Sequence, residues 1–514
     1  MIKIFCSRKE KDLVNFWNHM VFHPTNAIED DWGKRQLETL ASEHAVQIVR
    51  IYAMFEESVT LGENGALRYD FSLNDQRIDT LLENHLTPYI VYAFFPPFLA
   101  AEPDEGLLAR RYKGKVISRS YPADYTRWEE ICRTYTQHLV DRYGEDTVAG
   151  WHMHCYNEPD LKYFFYWNAP DWKTRAVEYC KLYEAFVRGV NAVSRRLLIG
   201  GPGLAGSPYR WSFLQYFLEF VKEKHLQLDF ISHHCGYGTS PEGMITGEDP
   251  LDVRNAVWEM QQIRRVTKMC GFEGIPLVCD EWGASTEGYL GCDKCSAFVF
   301  RENEIYAAYF AKMLTYYDAI GLTDLLCICM SGSHNLKKDF GGHRNFFTKH
   351  FYPKPIYNAF VLAARLGEEK LYCWADKDRY DQDARDDTRD ISVLPTRHRD
   401  GRYSVLLCYA DDAFRRLLRP ITMGIDFDGL PGTFRVTGWR IDADHANAIR
   451  KYNELGKPSD PTEAQMAEIR EFGRLKPEDL GLVSPGSPVL QLPLENNTTI
   501  LLELYPENQK EAAV

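Results

Sequence analysis

Val148-Ala149-Gly150-Trp151-His152-Met153-His154-Cys155-Tyr156-Asn157-Glu158-Pro159 reads as a buried strand over 148–156 that runs into a carboxylate-bearing turn. A stretch with apolar residues at helical spacing follows at 172–194, then a second strand-like run at 197–200. The alternation recurs on either side. Runs 46–52, 89–95, 228–233, 276–280 and 324–330 also read as buried strands, and a weaker one lies within 15–22. The amphipathic segment 128–143 ends at Gly144. Strand–helix alternation repeated about eight times predicts a parallel sheet, and the count favours a closed (β/α)8 TIM barrel, an α/β fold. An open doubly wound sheet is the alternative. It lacks its G-x-G-x-x-G fingerprint, because Gly200-Gly201-Pro202-Gly203 has the wrong spacing and a proline in the way.

Past about Gly367 the texture changes. Runs 391–395, Tyr403–Tyr409, Phe434–Ile441, 489–492 and 499–504 alternate and are parted by Gly, Pro and Asp turns. That is the pattern of an antiparallel β-sandwich. The expected organisation is a barrel over residues 15–367 and an accessory C-terminal β-sandwich domain over 368–514, with 1–14 joined to it as a strand. The acidic, arginine-rich segment 376–390 reads as a solvated loop.

The chain of 514 residues carries 60 Lys+Arg against 73 Asp+Glu, a net charge of −13 that argues against nucleic acid as a partner. The first dozen residues turn charged before a signal-peptide core develops, and no apolar run reaches membrane-spanning length. Thirteen cysteines, an odd number without framework spacing, suit reduced thiols in a cytoplasmic protein that makes no membrane contact. Aromatic residues make up 13% of the chain, enough to supply both core and sugar-stacking surfaces.

In such a barrel the working residues sit where strands end. Two strand ends carry glutamates: Asn157-Glu158-Pro159, and Asp280-Glu281-Trp282 after Pro276-Leu277-Val278-Cys279. A carboxylate ending an apolar strand is costly unless solvated, hydrogen-bonded or used. Two across a barrel mouth are what glycoside hydrolysis needs, one to protonate the leaving oxygen and one to attack or activate water. On spacing alone, a structural reading stays open in which Glu158 caps a loop and Glu281 merely ends a strand.

The wider context resembles family 39 of the glycoside hydrolases, in clan A, the family of β-xylosidases and α-L-iduronidase. The resemblance is carried in register by Arg50-Ile51-Tyr52-Ala53-Met54-Phe55, Tyr69-Asp70-Phe71-Ser72 with Asp75, and Phe94-Phe95-Pro96-Pro97. It continues through Arg142-Tyr143-Gly144, Gly200-Gly201-Pro202, Asp229-Phe230-Ile231-Ser232, Phe340-Gly341-Gly342 and Lys354-Pro355-Ile356-Tyr357-Asn358. In the C-terminal module Arg440-Ile441-Asp442, His445, Asn447-Ala448 and Gly456-Lys457-Pro458 resemble the accessory domain of bacterial β-xylosidases.

This resemblance implies a retaining mechanism with Glu158 as acid/base and Glu281 as nucleophile, about 5–5.5 Å apart. It places Asn157 on the sugar's 2-hydroxyl, and Arg50, Tyr52, His234, Tyr237 and Trp282 around the sugar, with Arg50 keeping Glu281 ionised. No cofactor and no metal are required, because two carboxylates suffice. The implied activity is exo-cleavage of terminal glycosyl units from small oligosaccharides or glycosides, β-xylosidase-like, by an enzyme that resembles oligomeric relatives and is itself expected as a homo-oligomer.

The sequence also departs from the family. Tyr52 stands for a histidine, His154 for a glutamate, and Gly236 for a tyrosine that returns one place later as Tyr237. The eighth strand reads Cys327-Ile328-Cys329-Met330-Ser331-Gly332-Ser333-His334-Asn335 in place of a tryptophan followed by acidic residues. The bond-breaking pair is kept while the sugar-recognising strand is rewritten. An arabinoside, galactoside or disaccharide-releasing specificity is therefore an alternative, as is a non-catalytic sugar-binding protein. A metal reading would use His152, His154, His233, His234 and Cys235.

Overall fold

A computed structural model describes residues 1–102, 117–236, 241–246, 251–285, 290–321, 323–332, 336–374 and 390–507. Eight strands form a closed parallel barrel: β1 (His19–His23), β2 (Ile48–Tyr52), β3 (Thr87–Tyr92), β4 (His152–Cys155), β5 (Leu198–Leu204), β6 (Phe230–Cys235), β7 (Leu277–Trp282) and β8 (Leu325–Ser331). β8 pairs with β1 from Cys327–His19 to Ser331–His23, which closes the ring and excludes the open sheet. The strand expected over 148–156 begins only at His152. Glu145–Val148 is a helical turn entered through Gly144, whose φ of 84° suits a residue without Cβ.

Eight helices surround the barrel: α1 (Asp31–Ser42), α2 (Ser72–Glu83), α3 (Tyr125–Tyr143), α4 (Trp172–Asn191), α5 (Arg210–Lys224), α6 (Val253–Met269), α7 (Glu304–Ile320) and α8 (Pro355–Ala364). Their starts follow local chemistry. Asp124 caps α3 by accepting from the Thr126 and Arg127 N–H groups, and Asp171 caps α4 by accepting from Thr174.

A nine-stranded, mostly antiparallel sheet holds the C-terminal part of the chain. Five of its strands cover the expected runs. Glu369–Trp374, Ile421–Asp428 and Pro477–Val483 are additional, as are two helices, Ala448–Glu454 and Glu463–Phe472. The strand Ile2–Asp12 joins this sheet, antiparallel to Glu369–Trp374 and parallel to Ile421–Asp428. Most of the expected loop 376–390 lies outside the described residues.

Tyr403–Tyr409 is buried along its whole length because its faces serve two cores. Leu406 and Cys408 pack with the barrel helices, while Val405 and Leu407 fill the interior enclosed by the sheet. At this junction Lys312 of α7 meets Asp412 at 2.8 Å, both side chains fully buried, and the Tyr316 hydroxyl donates to the same carboxylate at 2.7 Å.

Candidate active site

The barrel's C-terminal mouth is assembled from strand ends. β2 brings Arg50 and Tyr52, β4 leads into Asn157 and Glu158, and β6 brings His234. β7 brings Asp280 and Glu281, which strict alternation would turn to opposite faces. Its pairing with β6 slips between them: Cys279 pairs with His233 and Glu281 with His234, so Asp280 is an extra residue. This bulge turns both carboxylates inward onto one guanidinium, with Asp280 Oδ2 2.9 Å from Arg50 Nε and Glu281 Oε2 3.5 Å from Nη1.

A matching slip in β5 leaves Gly203 unpaired. Its φ is +63°, and a Cβ there would stand 2.7 Å from the His154 ring. Gly203 thus makes room for the imidazole that donates to or accepts from Ser232 Oγ at 2.6 Å.

Arg50 is fully buried and tied to four neighbours. Besides the two carboxylates, Nη1 donates to the Tyr52 hydroxyl at 3.0 Å and Nη2 to Asn157 Oδ1 at 2.8 Å. The Tyr52 hydroxyl also donates to Asn157 Oδ1, at 2.9 Å. With Oδ1 so occupied, Asn157 is left with its amide N–H groups for any further contact. Tyr52 stacks on Phe94 at 5.7 Å, interplanar angle 10°.

Glu158 lies at φ +47°, left-handed for a non-glycine residue, with its N–H donating to the Gly203 carbonyl at 3.1 Å. Strain of this kind collects at working sites. Glu158 Oε1 is 2.9 Å from His234 Nδ1. One oxygen of Glu158, one nitrogen of His234 and one oxygen of Glu281 all lie within 4.8 Å of one another.

The electrostatics of the mouth favour an ionised Glu281. Burial works to raise the pKa of Glu281, but the charges of His234, Arg50 and Arg344 outweigh it and hold the carboxyl below the usual carboxylate range. For His234, burial pulls the pKa down while Glu281, Asp280 and Glu158 push it up, and the result is a raised value.

The remaining expected residues fall elsewhere. Trp282 does not face the mouth: it is fully buried on the outer side of β7, stacked on Phe310 (6.0 Å, 6°) and Tyr309 (6.3 Å, 14°) of α7. That corrects the expectation that it binds sugar, and the reason is the alternation resumed after the bulge. Tyr237 lies outside the described residues.

The histidines and cysteine of the metal reading do not converge. His152 stacks on Tyr89 and His154 bonds Ser232. His233, on the outer face of β6, is held neutral by burial with its pKa lowered to about 3, and Cys235 contacts Cys279 and Tyr317. Among the described residues the close-set group with metal-ligand chemistry is Glu158, His234 and Glu281, and the Arg50 cation already sits against its Glu281 arm. Arg344 and Asp280 are the charged members that sequence reading did not assign. Two successive acids at a strand end were the only signal for Asp280.

Fold and site together define a class: a (β/α)8 enzyme whose barrel mouth presents paired glutamates, as glycoside hydrolases do. The sequence profile of Glycosyl hydrolases family 39 matches residues 1–479, and the chain belongs to that family. It is a glycoside hydrolase. It is 24% identical over 453 residues to a β-xylosidase of Geobacillus stearothermophilus, covering 85% of this chain and 80% of that one. It is 26% identical over 484 residues to a β-xylosidase of Caldicellulosiruptor saccharolyticus, covering 90% and 89%. The crystal structure of a monomeric β-xylosidase from Caulobacter crescentus superposes with a TM-score of 0.80 at 21% identity, over 98% of this chain and 99% of that one. That likeness is one of fold. No described helix is long and apolar enough to cross a membrane.

Proposed function

We propose that this chain is a retaining, exo-acting, β-xylosidase-like hydrolase that removes terminal glycosyl units from small oligosaccharides or glycosides. The observation that carries the reading is the approach of Glu158 and Glu281 oxygens to within 4.8 Å. Retaining pairs stand about 5–5.5 Å apart, whereas inverting pairs leave about 6.5–9.5 Å for a water.

In the first step Glu281, kept ionised by Arg50 and His234, attacks the anomeric carbon. Glu158 passes its proton to the leaving oxygen as the glycosidic bond breaks. In the second step Glu158 takes a proton from water, which attacks the anomeric carbon and frees Glu281. Asn157 offers its amide N–H to the 2-hydroxyl, a bond that strengthens as positive charge grows on the ring. Tyr52 and Arg50 hold that amide in place. Thirteen cysteines with no disulfide among them support a reducing, cytoplasmic setting.

A second reading, the same chemistry on another glycone, is favoured by β8. Where the resemblance expects a tryptophan and acids, the thiols of Cys329 and Cys327 lie beside Glu281 and Asp280.

A panel of nitrophenyl glycosides, both anomers of xylose, arabinose, galactose, glucose, fucose and uronic acids, tests both readings. The expected outcome is release from one sugar, retention of configuration by product NMR, and a loss of at least about a thousandfold in kcat for Glu281→Gln. Inverted product, or a Glu281→Gln variant as active as the parent, would sink the proposal. A non-xylose winner would select the second reading.

A further inference from the structure

Asp280 takes no part in the two steps above, yet it stands at the centre of the polar barrel interior. Its side chain is fully buried. Oδ2 lies 2.9 Å from Arg50 Nε, an ion-pair contact, and accepts from the Tyr89 hydroxyl at 3.4 Å, with His154 Nε2 3.6 Å away. Oδ1 lies 3.7 Å from His234 Nε2, an ion-pair distance. The other nitrogen of the same ring, Nδ1, is 2.9 Å from Glu158 Oε1. His234 therefore bridges a carboxylate that performs no chemistry and one that must give and take a proton.

We infer that Asp280 is a positioning residue that holds His234 as an imidazolium, so that Nδ1–H donates to Glu158 Oε1 and Oε2 is left to carry the transferable proton. The inference rests on the acid/base role proposed for Glu158. A neutral imidazole has one N–H and could serve only one of its two carboxylates as donor. Burial opposes the charged ring, but the three carboxylates that face it outweigh burial and favour a proton on each nitrogen.

The surrounding groups point the same way. His234 is faced by Glu158, Asp280 and Glu281, and by His154 and His233, both of which burial keeps neutral. Asp280 is faced by Arg50, Tyr89, His154, Glu281 and the thiols of Cys279 and Cys327. Asp160, beyond Glu158, is satisfied by the N–H groups of Ala205 at 2.9 Å and Ser207 at 3.1 Å. Arg344 and His23 act on Glu281 through their charges. Burial raises the pKa of Asp280, and Arg50 and His234 offset that rise only in part. The Arg50 guanidinium 2.9 Å away favours the charged carboxylate.

The consequence lies in the proton transfer. When Glu158 releases its proton to the leaving oxygen, its carboxylate forms against a fixed positive charge, and His234 keeps both its own protons throughout. Substrates whose leaving group needs that proton depend on Asp280, and substrates that leave unaided do not.

Two measurements decide this. With 15N-labelled histidine at pH 7, the His234 ring, identified by its loss in His234→Gln, is expected to carry protons on both nitrogens in the parent protein. A neutral ring there overturns the inference. Then Asp280→Asn is compared on 2,4-dinitrophenyl and phenyl β-D-xyloside. The expected loss in kcat/KM is at least about tenfold greater on the phenyl substrate, whose alkaline pH limb also moves. Equal losses on both substrates would show that Asp280 works only by holding Arg50 against Glu281, and would also overturn it. If the parent turns over neither xyloside, the glycone assignment fails separately and the histidine spectrum decides the role of Asp280. The same spectrum decides if Asp280→Asn does not fold.

Discussion

Glu56, in the helical turn Phe55–Ser58 after β2, accepts from the Phe94 N–H at 3.2 Å, while its second oxygen is buried without a protein partner. Burial dominates, followed by the opposing effect of backbone hydrogen bonds, and the pKa rises to about 8. A carboxyl that binds its proton more tightly when folded contributes stability fully present below its unfolded value and lost as pH rises through the folded one. The protein should lose stability between about pH 4.5 and pH 8 on this account. Glu56→Gln should therefore raise Tm at pH 8 and change it little at pH 5, as scanning calorimetry at the two pH values would register. Equal shifts at both would refute the assignment. At this scale the candidate residues Glu158, Glu281, Asn157 and Arg50, which the structure brings to one mouth, could be picked out from strand ends and family motifs. The sequence could not separate Trp282, a core residue, from the candidate binding side chains, since an aromatic after a glutamate fits either role. Arg344 was invisible because its approach to Glu281 depends on how the loop after β8 folds back.

The strands were legible where burial makes them continuous or alternating. β2, β3 and β8 are apolar runs, and Tyr403–Tyr409 and Phe434–Ile441 have the bounds their patterns predict. Pro477–Val483 escaped notice because it is largely exposed, with no apolar face to betray it. The bulges of β5 and β7 also left no mark, since register is a property of two strands and not of one. Those bulges aim the site, and Gly203 is where one of them can be tested. Gly203→Ala forces a Cβ into a left-handed backbone and against the His154 ring, and should cost about 1–3 kcal/mol by denaturant unfolding. An unchanged midpoint would mean that β5 accommodates the methyl group by moving. Activity should fall as well, through displacement of His154 beneath Asp280.

Across the whole molecule, barrel and sheet are held by an interface that mixes apolar and ionic contacts. Removing one partner of a buried ion pair leaves the other charge without compensation, at about 3–5 kcal/mol, whereas replacing both with apolar groups is often neutral. Lys312→Met should accordingly destabilise the protein by about 3 kcal/mol, and adding Asp412→Leu should restore most of that loss in equilibrium unfolding. A double variant no better than the single one would assign the cost to lost packing. The alternation of strands and helices revealed the two-part architecture, because each part has its own hydrophobic period. It did not reveal the shared strand Tyr403–Tyr409, whose even burial reflects two neighbours at once. The placement of Ile2–Asp12 bears on biogenesis. Ile4 pairs with Cys373, so this strand, once synthesised, waits roughly 370 residues for its partner. At about 5–20 residues per second that is on the order of 20–70 s, long enough for the barrel to be synthesised first. Throughout that interval Ile2, Ile4 and Cys6, buried in the folded sheet, stay without the strand that covers them.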